Sequence, residues 1–576
     1  MKQQTQGDPL EVIAVRRSDP VYNAHGYLTK VPVAAITPFL DRYTSPGDVV
    51  LDVFAGSGMT GVAAALRGRR AVLTDISRLG AHVGSNYLNF VSHSELEEAA
   101  SLVLKFARDR ANDPYATACA SCDATGTLSR SIWSVVYRCP SCSDEVVFFN
   151  TVDPATPNAG AGKCPSCSAR FTKRNAERLR EQRVKDVIAC ECSRTLIEQE
   201  PADNNYCVPD LLSWPDLPIE SHREMFRRSA LAKHGLTSTA TFFSKRNLAA
   251  LAALRDAILE EPDAAIRDKL LFVFTAILPR ASKRYQWGPT RPLNAQNQTY
   301  YVAAVFLEWN VFDLFARKLK AVEKSDQFIL AEVDSLFANQ TIDVRYEVAS
   351  ADDLHFLANE SIDYVFTDPP FGSNIFYSDM TLFQEAWLGQ LTDPTKEAVI
   401  ATNGNREKNG RRYESLLTGA LRECARVLKP SGRFSLVFSN SSGDVWAMAQ
   451  RAIQQAGFEI EPDGVCLLDK GQRSVKGLTS GYERVVTTDL IMTMRKSTVQ
   501  DCPRVEPGES IDESIARVLS DEGSGISPSY LYLRVIKRYL RRGWALDRLS
   551  YGHILETADD LGLRVDSRTG RFVVAS

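Results

Sequence analysis

Residues 48–61 read DVVLDVFAGSGMTG, and this stretch decides the fold. The apolar run at its start predicts a buried strand, and the glycines Gly56, Gly58 and Gly61 form a G-x-G-x-x-G turn. The small-residue segment MTGVAAALRG that follows predicts a helix ended by Gly68, and RRAVLTDIS predicts a second strand with Asp75 near its end. Glycines let a backbone approach a ligand, and an acid at the end of the next strand suits ribose hydroxyls. The stretch therefore predicts a nucleotide-cofactor fold, NAD being one of the cofactors it allows.

A second stretch, YVFTDPPFGSN at residues 364–374, presents an acid and a ring on a rigid turn. Two prolines follow Asp368, and because proline fixes φ and donates no N–H, the turn offers acceptors only. The carboxylate of Asp368 and the carbonyl of Pro369 are suited to orienting an amine. Phe371 is suited to stacking on a base taken out of a duplex, a contact worth about 1–3 kcal/mol. A purely structural Pro-Pro turn is the alternative.

Together these motifs resemble those of the S-adenosylmethionine-dependent DNA amino-methyltransferases. The loop FAGSGMT (54–60) resembles the first cofactor motif, and HGYLTKVPVAAITPFL (25–40) resembles the motif that precedes it, with Lys30 and Pro32 in the matching places. DYVFTDPPFGSNIFYSDM (363–380) resembles the catalytic motif of the N6-adenine and N4-cytosine enzymes, and RVLKPSGRFSLVFSN (426–440) their fifth-strand region. VASADDL (348–354) occupies the third-strand position, without the usual Gly-Asp pattern.

The resemblance implies a role for each of these residues. The cofactor-binding residues it implies are Lys30, Asp52, Phe54, Ala55, Gly56, Ser57, Gly58, Thr60, Asp75, Ile76, Ser350 and Asp353, with Asp352 as a further candidate. The catalytic residues it implies are Asp368, Pro369, Pro370 and Phe371. S-adenosylmethionine is the implied cofactor and Asp52 the implied partner of its ammonium group. An aspartate in the first place of the catalytic motif favours adenine N6 over cytosine N4.

Eight of the twelve cysteines fall in pairs between Cys119 and Cys192. The pairs are Cys119/Cys122, Cys139/Cys142, Cys164/Cys167 and Cys190/Cys192. Thiolates at this spacing suit tetrahedral Zn²⁺, and eight ligands indicate two ions with structural roles. In one pairing the four inner cysteines hold one ion, as in a zinc ribbon, and the four outer cysteines hold the other; sequential pairing is the alternative.

The pattern of strands and helices predicts an α/β, Rossmann-like doubly wound domain that is split by two insertions. The predicted boundaries are 1–94 for the first part of this domain, 95–217 for a cysteine module, 218–335 for a helical insertion, 336–497 for the second part, 498–528 for a linker and 529–576 for a small basic C-terminal domain.

Nucleic-acid contact has to come from local patches, because the net charge of the chain is −3. Basic and aromatic residues interleave in LPRASKRYQWGPTRP, which makes Arg280, Lys283, Arg284 and Tyr285 candidates, with a solvated helix end as the alternative. The loop NGNREKNGRRY adds Arg411 and Arg412. The tail YLYLRVIKRYLRRGW is interpreted either as a DNA-reading helix or as an amphipathic packing helix.

The combined prediction is a site-specific DNA methyltransferase that acts on an exocyclic amine, adenine N6 above all, with double-stranded DNA as its partner. A restriction-modification or defence system is its expected setting, and separate subunits are expected partners. An RNA methyltransferase is one alternative, because DPPFG also resembles the DPPYG motif of tRNA guanine-N2 methyltransferases. A non-catalytic zinc-ribbon protein that binds nucleic acid is another. The start MKQQTQGDPLEV lacks the apolar core of a signal peptide, so we expect a cytoplasmic protein.

Overall fold

The computed structural model forms two compact units. It describes residues 10–15, 19–151, 161–202, 206–227, 229, 231–288, 293–294, 300–337, 342–373, 375–401, 408–469, 486, 488–497, 505–523, 525–566 and 569–574. Unit 1 comprises Met1–Leu88, Ser325–Ser378 and Thr392–Ser576, and unit 2 comprises Asn89–Lys324 and Asp379–Leu391. The predicted cysteine module and helical insertion therefore belong to one unit and not to two.

The elements follow in chain order. The strands are β1 (Val12–Ala14), β2 (Val49–Asp52), β3 (Arg70–Asp75), β4 (Ala116–Ala118), β5 (Thr125–Arg138), β6 (Glu145–Val147), β7 (Ala161–Lys163), β8 (Arg170–Thr172), β9 (Glu177–Ala189), β10 (Ile197–Gln199), β11 (Tyr285–Gln286), β12 (Leu293–Asn294), β13 (Val305–Trp309), β14 (Val344–Val348), β15 (Ile362–Thr367), β16 (Leu428–Phe438), β17 (Phe458–Asp469), β18 (Thr488–Lys496), β19 (Leu563–Val565) and β20 (Phe572–Val574). The helices are α1 (Pro20–Ala24), α2 (Val33–Tyr43), α3 (Met59–Ala65), α4 (Arg78–Asn86), α5 (His93–Arg110), α6 (Glu224–Arg227), α7 (Lys245–Leu259), α8 (Ala264–Ala281), α9 (Val311–Phe337), α10 (Tyr377–Leu388), α11 (Gly410–Val427), α12 (Gly443–Gln455), α13 (Ile511–Glu522), α14 (Pro528–Arg541) and α15 (Tyr551–Asp560).

Unit 1 is built on an eight-stranded sheet in the order β1-β17-β18-β16-β15-β2-β3-β14. Strands β14, β3, β2, β15 and β16 are parallel, so their carboxyl ends share one edge. From β2 the chain moves outward through β3 to β14, and from β15 it moves the opposite way to β16. The reversal between β2 and β15 opens a crevice at the carboxyl edge, the usual ligand position in an open α/β sheet.

The antiparallel strand β18 lies inside this sheet, between β16 and β17. The pairing of β1 with β17 adds one more parallel strand outside it. Residues 364–367 of β15 are buried, which is typical of a central parallel strand that is covered on both faces.

The C-terminal segment is part of the core of unit 1. Within the predicted linker, α13 begins with a capping box between Ser510 and Glu513, and its Ile515 is completely buried. Helix α14 buries one whole face, including Leu531 and Ile536, in the same hydrophobic cluster as the central strands. The predictions of a linker over 511–522 and of a separate basic domain are therefore wrong, because an apolar face in these segments packs on the sheet.

The cations of α14 are used within unit 1. Arg538 makes two hydrogen bonds with Glu509, Arg534 contacts Glu522, and Arg541 lies 3.5 Å from Asp463. Lys537 is buried, and burial lowers its pKa to about 8. Of the two interpretations of this tail, the amphipathic packing helix matches the structure.

Unit 2 joins the cysteine-rich segment and the helices through one sheet. Its order is β10-β9-β5-β13-β11-β12, with β4 and β6 paired to β5, and β7 and β8 form a separate hairpin. Strand β13, from the predicted helical insertion, pairs with β5 of the cysteine-rich segment over five residue pairs from Val305↔Ser134 to Trp309↔Arg130. Helices α5, α7 and α8 pack against one another in this unit.

None of the helices in the described part of the chain combines the length and the hydropathy that a membrane crossing needs.

Candidate active site and metal centres

The glycine loop after β2 is held in a shape that only glycine allows. Gly56 and Gly58 have φ of +47° and +77°, in the left-handed region. A Cβ on Gly58 would lie 2.7 Å from the Cα of Gly84 in α4, so the loop packs backbone to backbone on that helix. The loop also meets the ring of Tyr27, which would approach a Cβ on Gly56 to 3.0 Å.

Asp75, at the end of β3, fixes this loop from the next strand. One carboxylate oxygen accepts the N–H of Gly56 at 2.9 Å and the other accepts the N–H of Ser77 at 2.9 Å. The phenol of Tyr346, on β14, donates to the carbonyl of Gly56 at 2.8 Å. Three neighbouring parallel strands therefore converge on one loop.

Asp52 and Thr367 join the glycine loop to the DPPF turn. The hydroxyl of Thr367, the last residue of β15, donates to Asp52 at 2.6 Å and accepts the N–H of Phe54 at 3.0 Å. Asp52 also accepts the N–H of Phe54 at 3.1 Å and the hydroxyl of Thr60 at 2.6 Å. The two motifs, some 310 residues apart in sequence, are thus neighbours on adjacent strands.

The Asp52 carboxylate is 5% exposed, and burial raises its pKa to about 6 although the hydrogen bonds from Thr367, Thr60 and Phe54 favour the charged form. Both oxygens are used inside the fold. Asp52 thus holds the loop through both oxygens, and its contact with an ammonium group stays a prediction.

The Asp-Pro-Pro-Phe turn is fixed through its carbonyls. The phenol of Tyr413, in α11, donates to Pro370 at 2.8 Å, and the side-chain amide of Asn440 donates to Phe371 at 2.7 Å. The half-buried Phe371 ring packs edge-on against Phe438, with centroids 5.3 Å apart. Asp368 itself is half-buried at the crevice edge.

Residues upstream of β2 contact both motifs. Thr29 lies within hydrogen-bond distance, 3.1 Å, of the phenol of Tyr377, and Tyr27 donates to Ser77 at 3.4 Å. Burial and the nearby Asp368 carboxylate raise the pKa of Tyr377, so this phenol stays protonated beside the turn. Segment 27–29 thus contacts the glycine loop on one side and the helix after DPPF on the other.

Lys30 is buried, and its ammonium donates to the carbonyls of Tyr22 and His25 and to the phenol of Tyr87 at 2.9 Å. The structure thus uses this predicted cofactor-binding residue to hold segment 22–30 in place.

The third-strand candidates lie beside Asp75. Ala349 donates its N–H to the carbonyl of Asp75 at 3.2 Å, which brings residues 350–353 to the same edge. Ser350 donates to Asp352, and Asp353 is exposed and within 2.9 Å of His355, whose hydrogen bond lowers the pKa of that carboxyl. Ile76 follows Asp75 directly, before the N-terminus of α4.

Comparison with known proteins agrees with this geometry. Residues 4–79, which contain the glycine loop and Asp75, match the family model described as DNA methylase, N6_N4_Mtase. The protein named "Putative methylase YubD" from Escherichia coli (strain K12) is 36% identical over 73 residues, which cover 13% of this chain and 32% of that protein. The chain thus spans about a third of the length of this curated relative.

Residues 4–79 are similar to a DNA methylase domain.

The resemblance to the N6-adenine and N4-cytosine DNA methyltransferases is confirmed over this segment. The matched residues 4–79 include β1, β2 and β3, and the DPPF turn follows β15 of the same sheet. Unit 2 lies outside the matched residues.

Unit 2 gathers the eight paired cysteines into two tetrads. Their Sγ atoms lie within 4.8 Å of one another in each group, and the groups are Cys119, Cys122, Cys190 and Cys192 for the outer tetrad and Cys139, Cys142, Cys164 and Cys167 for the inner one. Close Sγ pairs are 3.5–3.7 Å apart, far beyond a disulfide bond. Four sulfurs at about 2.3 Å from a tetrahedral Zn²⁺ stand roughly 3.8 Å apart, so these groups fit zinc. The nested pairing, and not the sequential one, matches the structure.

Three of the four cysteine pairs lie on turns of the same kind. The residue after the second cysteine has positive φ and donates its N–H to the first cysteine's carbonyl at 2.8–2.9 Å; these residues are Asp123, Ser143 and Ser168. Backbone N–H groups of Cys142 and Ser141 lower the pKa of Cys139 to about 7, whereas the pKa of Cys142 in the same tetrad is raised. Within the described residues each of these two groups consists of cysteines alone, which is a ligand set of structural zinc sites.

The predicted nucleic-acid residues of α8 and β11 are mostly inside unit 2. Arg284 and Tyr285 are buried, and burial lowers the pKa of Arg284 to about 10. Lys283 pairs with Glu181 at 2.9 Å, and only Arg280 of this group is exposed. The interpretation of Arg284 and Tyr285 as DNA contacts is wrong, because both side chains pack in the core.

Arg411 and Arg412 are exposed at the start of α11 in unit 1, where Arg412 donates to the carbonyl of Thr395 at 2.7 Å. Residues 402–407, most of which belong to the loop NGNREKNGRRY, lie outside the described residues. Lys408, at their far end, pairs with the buried Glu397, which also accepts the hydroxyl of Ser378 at 2.7 Å.

Sequence reasoning missed the residues that hold the turn. Thr367, Tyr377, Tyr413 and Asn440 belong to it, and a signal existed only for Thr367 and Tyr377, which stand inside the recognised catalytic motif. Tyr413 and Asn440 come from later elements and are found only through the fold.

Proposed function

We propose that the chain is an S-adenosylmethionine-dependent DNA methyltransferase that acts on the exocyclic amine of an everted base, with adenine N6 as the target. The observation that carries the proposal is the Thr367 bridge, which makes the glycine loop and the DPPF turn neighbours at one sheet edge. The family match over residues 4–79 supports it independently. The strand order around the crevice supports a Rossmann-like, doubly wound domain that is split by unit 2.

The residues around the glycine loop fit an S-adenosylmethionine molecule. Gly58 allows close backbone approach, and Asp75 stands where a ribose would lie. Phe54, Ala55 and Ser57 line the loop, and segment 350–353 stands beside Asp75 for the adenine. When bound, S-adenosylmethionine supplies an electrophilic methyl group.

The DPPF turn would orient the acceptor amine. The Asp368 carboxylate and the Pro369 carbonyl are acceptors for the two amine hydrogens, and they favour a pyramidal nitrogen whose lone pair is free to attack. The attacking amine needs no strong base, because it loses its proton only as it becomes cationic. Tyr413 and Asn440 hold the turn, and Phe371, braced by Phe438, is the platform for the base.

The two cysteine tetrads would each hold a structural Zn²⁺, which stabilises unit 2 and takes no part in methyl transfer. Double-stranded DNA is the proposed substrate and the cytoplasm the proposed location. We further propose that separate restriction or defence subunits, where present, are carried by other chains.

Methyl transfer from labelled S-adenosylmethionine to unmodified duplex DNA tests the proposal. Asp368→Ala removes one acceptor and should reduce the rate at least about 100-fold. The exposed Asp444→Ala, in the first turn of α12, is the matched control and should retain the wild-type rate. A wild-type rate no higher than that of Asp368→Ala on DNA would contradict the proposal.

Nucleoside analysis of the product identifies the base. N6-methyladenine is the expected product, and N4-methylcytosine would correct the target without removing the mechanism. Transfer to RNA and not to DNA would favour the guanine-N2 alternative, because the DPPFG sequence also resembles the motif of those enzymes.

A further inference from the structure

The hairpin of β7 and β8 in unit 2 has two unlike faces. Its turn carries Cys164 and Cys167 of the inner tetrad, and the buried Phe171 packs against Phe148 with ring centroids 6.3 Å apart. On the other face, Lys163 and Arg170 are direct cross-strand partners, and both are exposed. The inner face explains how the hairpin folds, and the outer face does not contribute to that folding.

This hairpin carries a local excess of positive charge. Residues 161–176 contain four cations and no acid, whereas the net charge of the chain is −3. Lys173 lies over the ring of Phe148 at 4.8 Å. Lys163, Arg170 and Arg174 are exposed and form no ion pair within the described part of the chain.

Three other cations of unit 2 serve as a comparison. Arg138, Arg180 and Lys185 each contact a carboxylate, which belongs to Glu177, Glu145 and Glu198 respectively. Like charges directly opposite each other destabilise a strand pair. Lys163 and Arg170 therefore weaken the hairpin by themselves, and an anionic partner would relieve that repulsion.

We propose that the outer face of the β7–β8 hairpin binds the phosphate backbone of duplex DNA through Lys163, Arg170 and Arg174. This inference rests on the proposed function, which makes DNA the substrate. The inner cysteine tetrad, with its proposed Zn²⁺, and Phe171 would hold the two strands in place before DNA binds, so little conformational entropy would be lost when phosphates bind. Contacts of this kind position a protein on DNA without reading its bases.

The test compares two triple variants that remove the same charge. In the first, Lys163, Arg170 and Arg174 become Ser; in the control, the paired Arg138, Arg180 and Lys185 become Ser. Binding of a fluorescent duplex to the full chain is measured over a range of salt concentrations. The first variant should bind on the order of 100-fold more weakly at about 0.1 M salt, with a salt slope smaller by about 3, while the control retains the wild-type affinity.

A charge-reversal variant separates binding from folding. Arg170→Glu places a carboxylate opposite Lys163, so it should raise the melting temperature and retain two equivalents of zinc while it weakens DNA binding. If Arg170 had only a structural role, the substitution would not raise the melting temperature while it lowers the affinity for DNA.

The outcomes distinguish the two proposals. Wild-type protein that neither binds nor methylates DNA refutes the proposed function. The hairpin proposal alone is overturned if the wild-type protein binds DNA and the two triple variants have the same DNA affinity as each other. It is also overturned if the first variant loses RNA binding but keeps DNA binding.

Discussion

The carboxylate of Asp52 links the glycine loop to the DPPF turn at a cost in stability. Burial raises its pKa from 3.8 to about 6, so the folded protein binds this proton more tightly than the unfolded chain does. Stability is therefore lost as the pH rises from about 4 to above 6, by roughly 3 kcal/mol in total. A neutral side chain at this position does not carry that pH dependence.

Asp52→Asn tests this pH dependence. The melting temperature of the wild type should fall relative to that of the variant between pH 4 and pH 7, because only the wild type ionises there. Asp444→Asn, at an exposed position, should follow the wild type throughout. A constant difference between wild type and Asp52→Asn over this range would contradict the assignment.

The backbone conformation of Gly58 leads to a second prediction, which concerns stability and cofactor binding. Gly58→Ala would combine strain at φ +77° with a contact of 2.7 Å to the Cα of Gly84, and so displace the loop. We expect about 2–3 kcal/mol lower stability and the loss of calorimetric binding of S-adenosylhomocysteine. Gly457→Ala has the same φ of +77° with nothing within 4 Å, so it should lose only about 1 kcal/mol and leave binding unchanged. Equal effects from the two variants would show that backbone strain alone matters.

Prediction from sequence reaches single residues where the relevant features lie on one short segment. Gly58 and Asp75 were recognisable because the turn and the strand end are local, and the structure brings them together. Lys30 and Asp52 are also predicted to bind the cofactor, and the structure shows the partners that both charges have inside the fold. A sequence shows that a charge is present but not which carbonyl or hydroxyl will reach it.

At the scale of elements, the cysteine knuckles form a nested pair of sites. The inner tetrad comes from the two knuckles that follow β5 and β7, and the outer tetrad from the knuckles before β5 and after β9. This arrangement predicts which cysteines share an ion. Two zinc equivalents per chain are expected in the wild type.

Pairs of substitutions distinguish the nested arrangement from the sequential one. Cys119→Ser with Cys190→Ser should remove one zinc equivalent, because both residues belong to one tetrad, while Cys119→Ser with Cys139→Ser should remove two. Elemental analysis of the purified variants gives the counts, and the exposed Cys207→Ser should leave both ions in place. The reverse pattern would favour sequential pairing.

Basic elements were harder to interpret from sequence than cysteine elements. Spacing alone defines a knuckle, whereas a cationic stretch has the same appearance on a surface and beside a buried acid. The stretch around Arg284 and the helix α14 were both candidate DNA contacts, and the structure buries the first and pairs the second with Glu509 and Glu522. The hairpin at Lys163 drew no attention, because its charges lie on separate strands and face each other only after folding.

On the scale of the whole molecule, the end of the chain completes unit 1. Residues 511–572 supply Ile515, Leu531 and Phe572 to the cluster that also contains the central strands. The backbones of the two parts touch, since Tyr551 donates its N–H to the carbonyl of Ser441 at 2.9 Å. The composition of 498–528 suggested a linker because polar and small residues outnumber the few apolar ones that point inward.

The close approach at Gly443 predicts how strongly this end is needed. A Cβ there would lie 2.6–2.8 Å from the carbonyl oxygens of Leu546, Asp547 and Leu549, which are backbone atoms with no rotamer to change. Gly443→Ala should therefore lower the stability of unit 1 by about 2–4 kcal/mol, seen as a lower melting temperature and faster proteolysis after residue 497. Gly410→Ala is the matched control, because its Cβ would meet only the flexible end of Met448, at 2.8 Å, and it should lose less than about 1 kcal/mol. If Gly443→Ala melts with the wild type, or if a chain that ends at residue 497 keeps the wild-type melting temperature, the C-terminal segment is not part of this core.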